Sequence, residues 1–163
     1  MIRFNFAFAI VALAAVSFGS DLAGAKKILQ RKSAEFVVAF KSKDAAWFEK
    51  ACTDDYTETE NKHTSTKKEA IAQMKSMMSM CKSIDAITEK QSGFKMQGKN
   101  VLVISTTHFV GTFASPNGKA SKIVDDAVAQ EVWVPVGSDY KLKSSVTLKD
   151  KMLVDGKPAK PGM

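Results

Sequence analysis

The feature that most restricts the fold is a change of hydrophobic period near Asp85. Before it, apolar residues recur every three or four positions; after it they recur every two, so helices should precede strands. Residues 26–40 read as a helix with Leu29, Phe36 and Phe40 on one side. Asp44 is a good N-cap for a short second helix carrying Trp47, Phe48 and Ala51. A polar connector, 53–65, follows. A third helix begins near Thr66, with Lys68 and Glu69 in its first turn and Ala70, Met74, Met77, Met78, Cys81 and Ile84 on one stripe. Methionines at that spacing fill a core rather than bind a metal or haem.

The second half reads as a meander. A weak strand over 84–96 turns at 97–100 into a long strand over 101–114. Ser115-Pro116-Asn117-Gly118 marks a turn in which Asn-Gly is a strong hairpin signal. A strand over 127–136 and a turn at Gly137-Ser138 lead to a last strand, 140–148. In that strand Tyr140, Leu142, Ser144, Val146 and Leu148 alternate with Lys141, Lys143, Ser145, Thr147 and Lys149, giving one buried and one wet face. The expected fold class is α+β: three N-terminal helices packed on one face of a curved antiparallel sheet.

At 163 residues the chain holds one domain. Its net charge of +7 suits an acidic partner, but the lysines are scattered singly and in pairs, which opposes nucleic-acid binding. Arg3, the apolar run from Phe4 to Phe18 and the small residues of Ala23-Gly24-Ala25 predict a signal peptide over 1–25, cut after Ala25 or after Gly19. An uncleaved single-pass anchor is the alternative. The mature domain, 26–150, is then secreted or periplasmic, not stably inserted in a membrane, and followed by a flexible tail over 151–163. Two cysteines in an exported chain, Cys52 and Cys81, suggest a disulfide worth roughly 3 kcal/mol; two buried thiols are the other reading. Two cysteines and two distant histidines show no metal-ligand spacing.

Two stretches carry a family resemblance. Asp44-Ala-Ala-Trp47-Phe48 running on to Thr53-Asp54-Asp55-Tyr56, and Val132-Trp133-Val134 followed by Tyr140-Lys141-Leu142, resemble the nuclear transport factor 2-like superfamily, in particular its SnoaL-like and ketosteroid-isomerase-like members. The resemblance implies a cone-shaped fold with a deep pocket at its open end, commonly as a homodimer. It implies no single chemistry, because members include isomerases, dehydratases, cyclases and binding domains. Where the family's last strand often has histidine, this chain has Ser144 and Ser145.

Treating Asn117-Gly118 and Gly137-Ser138 as two-residue turns puts Leu102 opposite Trp133, Ile104 opposite Glu131, His108 opposite Ala127 and Glu131 opposite Ser144. Glu131, Trp133, Thr106 and His108 then share the concave side. Glu131 and His108 are the acid/base candidates, because burial raises a carboxylate's pKa and moves histidine across neutrality. At strand rise they stand about 13 Å apart, too far to touch. Ligand contacts are expected from Tyr56, Met74, Thr106, Trp133 and Ser144. No Gly-rich phosphate loop, nucleophile elbow or metal-binding helix motif appears, so no cofactor is expected. The first functional expectation is an exported domain binding a small apolar or amphipathic ligand. A cofactor-free isomerase or dehydratase using Glu131 or His108, and a cell-envelope interaction module, are the alternatives.

Overall fold

A computed structural model describes residues 21–114 and 119–159. Helix α1 (Leu22–Ser42) starts at Asp21, whose Oδ1 accepts from the Ala23 N–H at 3.0 Å, and stops at Lys43 in the left-handed conformation. Helix α2 (Ala45–Ala51) is capped by Asp44, as the sequence predicts. Helix α3 (Lys67–Met80) opens with a capping box: Thr66 and Glu69 satisfy each other's backbone N–H. It ends one residue before Cys81, so Cys81 and Ile84 belong to the following strand.

The strands are β1 (Cys52–Glu60), β2 (His63–Thr66), β3 (Cys81–Gln97), β4 (Asn100–Ala114), β5 (Ala120–Val136), β6 (Asp139–Val154) and β7 (Lys157–Pro158), in the sheet order β2-β1-β6-β5-β4-β3 with β7 beside β6. All pairs are antiparallel except β1 with β6, which run parallel. The expected polar connector over 53–65 is therefore a hairpin, turned at Asn61 and Lys62, both with positive φ. Its apolar alternation is missing because Tyr56 is its one large apolar side chain. The threonines that replace it still favour a strand. The C-terminal end is likewise ordered further than expected: β6 continues to Val154 and β7 returns along it.

Three apolar groups join helices to sheet, one of them Ala70 of α3 with Cys52 and Tyr56 of β1. Ala25 and Leu29 of α1 pack on Val101, Val103, Trp133 and Tyr140. Ala39, Phe48, Ile71 and Met78 form the third, with the Phe40 ring 5.6 Å from Phe109 of β4. The expected apolar run of the signal segment, the Asn117-Gly118 turn and the last four residues lie outside the described residues.

Candidate functional site

Large side chains give out part-way along each central strand, and that makes a cavity. Reading inward positions from one end, β4 carries Val101, Val103, then Ser105 and Thr107. Strand β5 carries Trp133, Glu131, then Ala129 and Ala127, and β6 carries Tyr140, Leu142, then Ser145 and Thr147. The bulky ends are filled by α1. Opposite the small stretches, before Phe109 of β4 packs on Phe40, a cavity of about 250 Å³ remains between sheet and helices, closed by Phe36, Trp47, Phe48, Ile71 and Met74.

Glu131 stands where large gives way to small, and it is buried. One oxygen accepts from Ser105 Oγ at 2.7 Å and the other from Trp133 Nε1 at 2.8 Å. Burial pushes its carboxyl above the ordinary range, and those two hydrogen bonds oppose the rise. Two further carboxyls face the same space. Burial and then the Glu131 charge push Glu89 of β3 up to about 8, with Ser33 and Gln91 opposing. Burial and then Glu60 raise Glu58 of β1. Tyr56 and Cys52 also line the cavity, and burial raises both groups.

Several expected site residues lie elsewhere. The β4–β5 ladder closes at Ala114 opposite Ala120, so five residues connect the strands instead of two. The register is thereby one residue off the expected one: Val103, not Ile104, faces Glu131, and His108 faces Asp126. A one-residue slip reverses every side chain of β4 relative to β5. Thr106 is consequently exposed, and His108 binds Asp126 Oδ1 at 2.7 Å on the outer face. Pro116, which has no N–H to give a ladder, argues in the sequence against strand pairing up to Asn117.

Ser144 fails for a related reason. Trp133 faces Leu142 as expected, but Lys143 is an extra residue in β6, so Glu131 faces Ser145 and Ser144 falls beside Val132 on the outer side. The inward set after Leu142 is Ser145 and Thr147, not Ser144 and Val146. Tyr56, Met74 and Trp133 do line the cavity. Ser105, Glu89 and Glu58 were missed: Ser105 went with the slipped register, and the two glutamates sit in strands whose inward faces have little apolar pattern. Cys52 and Cys81 are free and buried. They open β1 and β3, which three other strands separate, whereas a bridge needs Cα atoms within about 7 Å.

No family model and no curated protein matches the sequence. Solved structures do match in shape. The structure of LinA has a TM-score of 0.64 at 14% identity, over 88% of this chain and 96% of that one. A type 2 hexachlorocyclohexane dehydrochlorinase (LinA) gives 0.58 at 11% identity, over 86% and 97%. An NTF2-like protein from Cytophaga hutchinsonii gives 0.60 at 15%, over 75% and 95%. This chain has the nuclear transport factor 2-like fold. The NTF2-like cone explains why three helices and one open curved sheet leave a cavity at one end, while the side chains inside it are this chain's own.

Proposed function

We propose that this NTF2-like chain binds a small amphipathic molecule in the cavity, with Glu131 as its polar anchor. The observation that carries this reading is a buried carboxylate held by Ser105 and Trp133 in the wall of an otherwise largely apolar space of about 250 Å³. Pockets of this kind pair an apolar lining with a few fixed polar groups. A thermal-shift screen of small amphipathic compounds tests it. Hits should raise the Tm of the protein and not of Ala129→Leu, which fills the space; hits that raise both equally would sink the idea.

A second reading, acid/base catalysis without a cofactor, is favoured by Glu131 and Glu89 both being raised within one cavity. It now rests on Glu131, since His108 is on the far face of the sheet. Glu131→Gln should then abolish turnover while the fold, read by circular dichroism, stays. Loss of structure with loss of turnover would leave Glu131 a structural group.

The proposal includes export and a homodimer. Cleavage after Ala25 would remove the Asp21 cap, the first turn of α1 and a core residue that is 3% exposed, so cleavage after Gly19 is the cut that suits the fold. An N-terminal mass ending the leader at Ala25 would contradict this. For the dimer, Leu102, Ile104, Val128, Val132, Val134 and Val146 are half-buried on the outer face of β4, β5 and β6. Sedimentation should show a dimer that Val132→Lys dissociates; a monomeric parent would remove it.

A further inference from the structure

Glu58, Glu89 and Glu131 enter one cavity from three strands. Among the described lining residues Lys32 is the one basic side chain, and its ammonium is already engaged by Asp139 at 2.6 Å, with Glu35 at 4.0 Å. Glu131 itself is met by two neutral donors, one on each oxygen, and by no cation among the described residues. That arrangement receives an ionised carboxylate yet leaves its charge without a counter-ion, and buried charges are ordinarily paired. Around the same space stand the rings of Phe36, Trp47, Phe48, Tyr56 and Trp133, whose faces attract a cation and whose edges bury an apolar body. An anion would meet three carboxyls. No group of three or more His, Cys, Asp or Glu among the described residues is placed to hold a metal ion.

We propose that the ligand is an organic cation, a protonated amine on a compact apolar body, with its ammonium facing Glu131 and Glu89. The amine supplies the counter-ion that Glu131 lacks, and the apolar body occupies the part of the cavity lined by Ala127, Ala129 and the α2 and α3 side chains. This inference rests on the cavity being a binding site at all, and the test separates the two ideas.

Calorimetric titration of the protein with three probes of matched shape decides it: 2-phenylethylamine, 2-phenylethanol and phenylacetate. The amine should bind about tenfold more tightly than the alcohol, and phenylacetate more weakly than either. Glu131→Gln should close the gap between amine and alcohol. Should that variant not fold, Glu89→Gln, titrated above pH 8 where Glu89 is ionised, should narrow the same gap. Equal binding of amine and alcohol, as protonated carboxyls would give, overturns the cation while keeping the cavity as a site. A gap that persists in both variants places the preference outside these carboxyls and also overturns it. Failure of all three probes to bind removes both ideas.

Discussion

The filled half of the cone and the half that holds the cavity are made by the same three strands, a few residues apart. At Val101, Val103, Trp133 and Tyr140 the inward side chains are large and α1 closes over them with Ala25 and Leu29. Further along, the same strands present Ser105, Thr107, Ala127, Ala129, Ser145 and Thr147, and the helices opposite do not fill the space beside them. Strand pairing runs through both halves, so side-chain volume, together with the reach of the helices, separates a packed core from a cavity. The contrast also places charge. Glu131 is tolerated at the boundary because Ser105 and Trp133, one from each side of it, satisfy both oxygens.

The two halves should respond oppositely to changes of volume. Leu29 has no exposed surface, and Leu29→Ala should lower unfolding free energy by about 2–5 kcal/mol in urea titration. Ala129→Leu adds comparable volume where space exists and should raise stability by about 0.5–2 kcal/mol while abolishing ligand-induced shifts. A destabilising Ala129→Leu would mean that the small residues pack tightly after all, and the comparison would break there.

A pH series sharpens the contrast further. Glu89 carries its proton in the folded state up to about 8, whereas the unfolded chain releases it near the ordinary 4.5. Between those values the folded state binds more protons, so stability should fall as pH rises from about 5 to 8. Glu58 and Glu131 are shifted in the same sense. Glu89→Gln should flatten the slope measured by urea midpoints, while Leu29→Ala should lower the whole curve with its slope intact. An unchanged slope in Glu89→Gln would remove that group from the cavity's electrostatics.

How far the sequence could be read differs between these halves for a physical reason. The packed half announces itself by period: Leu29 on the apolar side of a helix, Trp133 opposite Leu142 in a hairpin whose turn is two residues long. The three helices and the long strands β3 to β6 after α3 follow from the same signal, whereas β1 and β2, which stand between α2 and α3, do not. The cavity half is made of small and polar residues, which carry little periodic contrast, and its registers depend on single extra residues. One lies in the five-residue β4–β5 connection and one at Lys143. Each shifts alternation by one, which is enough to exchange Ser105 for Thr106 and Ser145 for Ser144. The β1–β2 hairpin was hidden likewise, since threonine and glutamate replace the apolar residues that mark a strand. Glu131 was found because its partner Trp133 fixed it to the side of Leu142.

The smallest expected effect is on the outer face and tests the register itself. His108 and Asp126 are directly opposite in the ladder and joined at 2.7 Å, with about half of each side chain in solvent. Exposed pairs of this kind contribute under about 1 kcal/mol and are screened by salt. His108→Ala should therefore move the urea midpoint slightly, with no change in ligand-induced shifts, whereas Ser105→Ala, three residues earlier on the inner face, removes a donor from Glu131 and should change ligand response. Under the alternative register, with His108 inward beside Ala127, the two variants would exchange roles. Comparing their ligand responses at equal stability thus reads out which side of β4 each residue occupies.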